Sequence, residues 1–217
     1  MNEGAAAWVP LFPEEEVPFI LTTVLRCCGA LRKKHNTERE DKLSNRLRLL
    51  IRRDEAFRRS AMIVDREVPV FDDDDSDSEE PIGRIDFRFL SSQRQADSGW
   101  HFVIEAKRLH VTFKKAGWQP LVSKYVTGHQ GMMCFIDRRY ARGLSEGAML
   151  GYVFDGQIEK ARGSVSDCIA ANPEKLKCAS PFRLVPSQIV TGLAGISETS
   201  HSFTEELFTI YHLFAAV

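Results

Sequence analysis

The sequence predicts an α/β protein, with a mixed central sheet flanked by helices, and three observations predict it. Apolar runs of strand length alternate with stretches of helical periodicity. Glycines, prolines and clustered charges punctuate them at intervals suited to short connections. Finally, 217 residues at 43% apolar and 27% charged content suit one globular domain with a sizeable core, and no internal repeat divides it.

Residues 1–13 read as irregular, with Pro10 and Pro13 as punctuation. Pro13 before Glu14-Glu15-Glu16 opens a helix over 14–32. A stronger helix covers 36–59, with Asn36 or Thr37 as N-cap and early acids suited to the helix dipole. Leu43, Leu47 and Leu50 fall at i, i+4 and i+7 and define its buried face. Glu40, one turn before Leu43, points to the core edge, while Arg39, Arg46 and Arg53 face water or a phosphate backbone. Strand character follows over 61–70, 82–90 and 100–108, joined by an acidic run and a polar stretch as an antiparallel meander. A helix over 120–130, a short buried strand over 132–136, a strand over 148–154, the turn Asp155-Gly156 and a helix over 157–171 come next. Pro181, Pro186 and several glycines then mark further strand, and an apolar segment over 203–217 ends the chain.

The formal charge of -1 conceals an asymmetry. The run 72–80 holds seven of the 30 acids, and outside it 23 acids face 29 basic residues. A mildly basic body is compatible with a polyanionic partner. The five cysteines form no CxxC pair, and Cys27-Cys28 are adjacent in a predicted helix, which reads as reduced thiols. The N-terminus lacks the pattern of a signal peptide, and the longest apolar stretch, 207–217, is too short to span a bilayer. A cytoplasmic protein without membrane contact is expected.

Chemistry concentrates on two apolar segments. Asp86 lies within Gly83-Arg84-Ile85-Asp86-Phe87-Arg88-Phe89, and Glu105 and Lys107 within Phe102-Val103-Ile104-Glu105-Ala106-Lys107-Arg108-Leu109. Charges inside apolar strands cost free energy unless a partner or a metal compensates them. Strand alternation sends Glu105 and Lys107 to one face and Ile104 and Ala106 to the other. If the strands pair, Asp86 and Glu105 share one Mg²⁺, with Mn²⁺ as its substitute and the Ala106 carbonyl as a further ligand. Lys107 then orients water or stabilises charge on phosphate, and Glu40 serves as a third carboxylate or positions water. The competing reading is a structural ion pair in which Lys107 neutralises Glu105 and Asp86.

Asp86 and the Glu105-x-Lys107 pair, after a helix bearing Glu40, resemble the PD-(D/E)xK nuclease superfamily. Ile85 stands where the name has proline, and Ile104-Glu105-Ala106-Lys107 matches the second half of the motif. The resemblance implies a restriction-endonuclease-like αβββαβ core over about 38–136, decorated by helix 14–32 and elements over 148–217. It also implies a Mg²⁺-dependent endonuclease acting on nucleic acid, DNA ahead of RNA. Lys124-Tyr125-Val126, Gly131-Met132 and residues 147–153 are similar to small bacterial members, some tied to anti-phage defence, which brings a homodimer or a protein partner into view. The alternative within the same fold is an inactive subunit that binds nucleic acid or protein; a third reading is a toxin-like effector restrained by a partner.

Other signals are weaker. Glu67 reads as a strand-end charge before a metal ligand. His129, Gln130, Lys124 and Tyr125 reach phosphate or serve surface and core. The arginines at 46, 48, 52, 53, 58 and 59 read first as a solvated helix face. The run 72–80 lacks EF-hand spacing, His201 has no partner at zinc-ligand spacing, and residues 192–195 are too short for a phosphate loop.

Overall fold

The computed structural model describes residues 16–71, 80–91, 101–190, 195–204 and 206–217. In chain order these form α1 (Glu16–Ala30), α2 (Glu40–Arg53), α3 (Glu55–Arg59), β1 (Met62–Asp65), β2 (Val68–Val70), β3 (Gly83–Ile85), β4 (Phe87–Ser91), β5 (His101–Leu109), β6 (Val111–Phe113), β7 (Gly117–Gln119), α4 (Val122–Val126), α5 (Met133–Ile136), β8 (Glu146–Val153), α6 (Ile158–Ala170), β9 (Val185–Pro186), β10 (Ile196–Phe203) and β11 (Glu206–Ala216). One sheet takes seven strands in the order β1-β4-β5-β8-β11-β10-β9. The β5·β8 and β8·β11 pairs are parallel and the other four antiparallel. The mixed α/β class is therefore as expected, with antiparallel pairing in the majority, and the meander persists as β1-β4-β5. Two short ribbons, β2-β3 and β6-β7, stand apart from the main sheet.

Both faces of the sheet are covered, so its central strands are buried almost throughout. On one face Ile20, Leu21 and Val24 of α1 and Leu43, Leu47 and Ile51 of α2 pack on Phe89, Phe102, Ile104, Ala106, Leu150 and Tyr152. On the other, Val126 of α4, Phe135 of α5 and Ala161, Val165 and Ile169 of α6 pack on Val103, Leu109, Met149, Val153 and Phe214. Each fully buried aliphatic or Phe side chain contributes about 1.5–3 kcal/mol relative to exposure. Among the described residues, no helix is long and apolar enough to cross a membrane. All five cysteines are free.

Several expectations are corrected. Residues 132–136 hold the helical turn α5, not a strand: Phe135 and Ile136 donate their backbone N–H groups to the Met132 carbonyl, closing a helical turn. A five-residue apolar run carries no period that separates buried helix from buried strand. The strand that follows the helices is β8, parallel to β5, so the helix–three strands–helix–strand order is completed at Val153 rather than at residue 136. The helix expected over 120–130 shrinks to α4, entered through Leu121 at φ 55°. The helix expected over 36–59 breaks at Asp54, whose carboxylate accepts the Phe57 N–H and holds Arg26 through two bonds of 2.9 Å. Its N-cap is Arg39, without a side-chain cap bond, so neither Asn36 nor Thr37 caps it. Strand 61–70 divides into β1 and β2, and strand 82–90 into β3 and β4 with Asp86 between them. The first 15 residues and the run 72–79 lie outside the described residues.

Candidate active site at a fork in the sheet

Strand β4 accompanies β5 only as far as the Phe87–Ile104 pair. Before Phe87 the chain turns away as β3 to pair with β2. Beyond Ile104, β5 therefore has one edge open, while its other edge pairs with β8 through Leu109. Alternation directs the backbone groups of Ala106 and Arg108 toward the open edge, and buried N–H groups without acceptors are costly. Two carboxylates take the place of the missing strand. Asp86, in the gap between β3 and β4, accepts the Ala106 N–H through Oδ2 at 2.9 Å. Glu40, at the first residue of α2, accepts the Arg108 N–H through Oε2 at 3.0 Å. The fork explains why Asp86 interrupts an otherwise apolar strand.

Glu105 and Lys107 share one face of β5, and Lys107 curls back over the edge. Its ammonium donates to Glu105 Oε1 at 2.7 Å, Glu40 Oε1 at 3.0 Å and the Ala106 carbonyl at 2.6 Å, and it lies 3.9 Å from Asp86 Oδ2. An ammonium has three N–H donors, and all three are used. The four sequence-predicted residues thus converge on one nitrogen, and the Ala106 carbonyl faces the same edge. The side chains of Glu105 and Lys107 are 3% and 12% exposed.

Acids outnumber the base at this point. Burial pushes the Glu105 carboxyl well above the usual range, the Asp86 charge adds to the shift, and Lys107 draws it back. Burial likewise raises Asp86 and Glu40, against the pull of Lys107 on each. Burial opposes charge on Lys107, but Glu105, Glu40 and Asp86 outweigh it and hold the ammonium protonated. Among the described residues no N–H or hydroxyl donor reaches the buried Glu105 Oε2, and the Asp86 carboxyl lies beside the Glu105 carboxyl.

A dication would meet oxygen donors only: the Asp86 carboxylate, the unsatisfied Glu105 Oε2 and the Ala106 carbonyl. That donor set suits Mg²⁺ or Mn²⁺, which prefer oxygen and retain water. Among the described residues, no three His, Cys, Asp or Glu side chains form a ready metal cluster. A metal here would complete its shell with water around two carboxylates. The residues fit the group on the strength of the orphaned oxygen and the surplus of buried acid.

Two contributors escape a reading by motif. Arg66, its side chain 6% exposed, lies 3.9 Å from Asp86 Oδ1 and binds Glu67 at 2.8 Å. Tyr140 grips β3, its hydroxyl donating to the Arg84 carbonyl and accepting the Arg84 N–H, both at 2.9 Å. A Cβ on Gly83 would sit 2.6 Å from that hydroxyl, so glycine permits the approach. A glycine before the Asp86 strand was the available signal for a close neighbour; nothing local marked Arg66.

The weaker candidates lie elsewhere. Glu67 is exposed, at φ 53°, and pairs with Arg66. His129, Gln130 and Lys124 are exposed, while Tyr125 is fully buried with its hydroxyl on His212 at 3.1 Å. On α2, Arg46 pairs with Glu38 at 2.7 Å and Arg48 donates to the Val64 carbonyl, whereas Arg52 and Arg53 of α2 and Arg58 and Arg59 of α3 are exposed. No protein-family model matches the chain, and no curated protein or solved structure matches it significantly.

Proposed function

We propose that the chain is a divalent-metal-dependent nuclease of the PD-(D/E)xK type, built on a restriction-endonuclease-like fold and acting on nucleic-acid phosphodiesters. The observation that carries this reading is the fork: the Asp86 and Glu105 carboxyls and a lysine gathered at an open sheet edge, with a buried Glu105 oxygen that no N–H or hydroxyl among the described residues reaches. Asp86, Glu105 and the Ala106 carbonyl would hold the ion, which when bound supplies Lewis-acid stabilisation of charge on the phosphoryl group. Lys107, held protonated by its carboxylates, acts as a fixed positive charge near the phosphate and not as a base. Glu40, raised by burial and bonded through Oε1 to Lys107, is the group available to orient the attacking water and take its proton. The preference for DNA and a role in prokaryotic defence come from the family resemblance; a cytoplasmic setting is inferred from the cysteine pattern and the lack of a signal-peptide pattern.

A second reading keeps the fold and drops the chemistry: Lys107 uses all three donors within the cluster, as a purely structural charge pair would. Supercoiled plasmid and labelled single strands of DNA and RNA, incubated with the chain in EDTA, Mg²⁺ or Mn²⁺, separate the two. The nuclease reading expects metal-dependent cleavage of at least one substrate and a loss of about 100-fold or more in Asp86→Ala, with unchanged circular dichroism. Metal-independent binding without cleavage of any substrate would leave the inactive subunit.

A further inference from the structure

We propose that the β6-β7 hairpin is a stacking platform for a base of single-stranded nucleic acid, with Trp118 as its surface. The class of partner rests on the nuclease reading; the place rests on the hairpin. Register pairs Val111 with Gln119, Thr112 with Trp118 and Phe113 with Gly117. Val111 is buried and Phe113 packs against the core, so Thr112 and Trp118 form the outer face. Outer positions of a half-buried ribbon ordinarily take polar side chains. Here the position holds an indole that is 43% exposed.

That indole is anchored. Its Nε1–H donates to Asp155 Oδ2 at 3.3 Å. Asp155 Oδ1 in turn receives Nδ1–H of His110 at 2.9 Å and the backbone N–H of Gln157 at 3.0 Å. The His110 side chain is 0% exposed, and its ring centroid lies 5.1 Å from that of Trp118, tilted by 55°. His110 itself adopts φ 55°, a left-handed conformation that a non-glycine residue holds only when its surroundings enforce it. The buried His110 and its partner Asp155 thus tie one exposed aromatic to the end of β5 and to the start of α6. A ring ordered in advance loses little conformational entropy on stacking.

The surroundings select the partner. Lys160 of α6 places its ammonium 4.9 Å over the Trp118 ring, and Lys114 and Lys115 are exposed at the hairpin turn. A protein or lipid partner would favour an apolar rim, whereas cations around a lone indole match a base flanked by phosphates. A base on the ring displaces the flexible Lys160 stem, whose ammonium then meets phosphate. The hairpin directly continues β5, so the platform sits at the end of the strand bearing Glu105 and Lys107.

The test uses the full chain in EDTA with fluorescein-labelled oligothymidylate, read by anisotropy and indole quenching. Trp118→Ala is expected to weaken binding roughly 5- to 150-fold, and Trp118→Phe to retain most of it, with melting temperature unchanged in both. Unaltered affinity in Trp118→Ala, or no binding by the parent chain, overturns the platform. The same preparations are then assayed for cleavage of plasmid and of labelled single strands of DNA and RNA in Mg²⁺ and in Mn²⁺. Cleavage with Trp118-independent binding refutes the platform and leaves the nuclease; Trp118-dependent binding without cleavage supports the platform and refutes the nuclease.

Discussion

On the α4 face of the sheet, Tyr125, His212, Thr199 and His201 form a buried hydrogen-bond chain, while at the open edge of β5 Asp86, Glu105, Glu40 and Lys107 form a buried charge cluster. The first is closed and neutral. His201 Nδ1 must donate to the Leu176 carbonyl at 2.7 Å, so its Nε2 accepts from Thr199 at 2.8 Å. Thr199 then accepts from His212 Nε2 at 2.9 Å, and His212 Nδ1 accepts from Tyr125 at 3.1 Å. One carbonyl fixes both tautomers and every bond direction, and burial pushes His201 down to about 4 and His212 down to about 3. The second cluster gathers three carboxylates on one ammonium and leaves Glu105 Oε2 unsatisfied. A network built only for stability reaches the first condition. A network that reaches the second is waiting for a proton or a cation, which is why function is assigned there.

The contrast breaks first at Lys107. In Lys107→Ala the three carboxylates lose their only close ammonium. We expect a cost of about 3–5 kcal/mol at pH 8 in urea melts, recovering as the carboxyls take up protons toward pH 5, together with loss of cleavage. A cost independent of pH would mean that packing of the lysine stem, not charge, matters there. Next in size is His212→Phe, which removes the acceptor at 3.1 Å from the Tyr125 hydroxyl and the donor at 2.9 Å to Thr199. It should cost about 1–3 kcal/mol at neutral pH and leave cleavage unchanged. Because the folded pKa of His212 is depressed, the parent chain loses stability as pH falls below about 6.5, at up to about 1.4 kcal/mol per unit for each such histidine. The gap between parent and variant therefore narrows toward pH 4. A gap that widens in acid would show that the imidazole is not held neutral.

The sequence disclosed the charge cluster and concealed the neutral one. Asp86 and Glu105-x-Lys107 violate the apolar pattern of their strands, and a violation is visible in a single chain. Glu40 was legible because helical periodicity placed it beside Leu43 on the inward flank, although the cap that should have marked the helix start is absent. Thr199 and His201 break nothing, and His212 interrupts an apolar stretch without showing its partners: only the pairing of β10 with β11 brings the three together. The same asymmetry governs the fold. Strands with alternation or long apolar runs, such as β5 and β8, were found, whereas 132–136 was mistaken for a strand because its turn of helix is too short to show a period. Arg66 needed the β1-β4 pairing to come near Asp86, and no local rule supplies that.

The smallest change sharpens the contrast most. Glu105→Gln keeps the shape of the side chain and removes one buried charge. The folded pKa of Glu105 is raised, so the folded state holds a proton that the unfolded chain releases above about 4.3. Stability from this group is greatest in acid and is lost as pH rises, opposite in slope to the histidines. In EDTA at pH 8 the Gln variant is therefore expected to be more stable than the parent by about 1 kcal/mol, with the two converging near pH 4. With Mn²⁺ the order reverses: the parent gains about 2.7 kcal/mol at a hundredfold excess over its dissociation constant, and the variant gains almost nothing. Thermal melts in EDTA and in Mn²⁺ at two pH values read both effects. A Gln variant that is less stable in EDTA, or that responds to Mn²⁺ as the parent does, would mean that Glu105 is a satisfied structural partner of Lys107, no different in kind from the buried histidines.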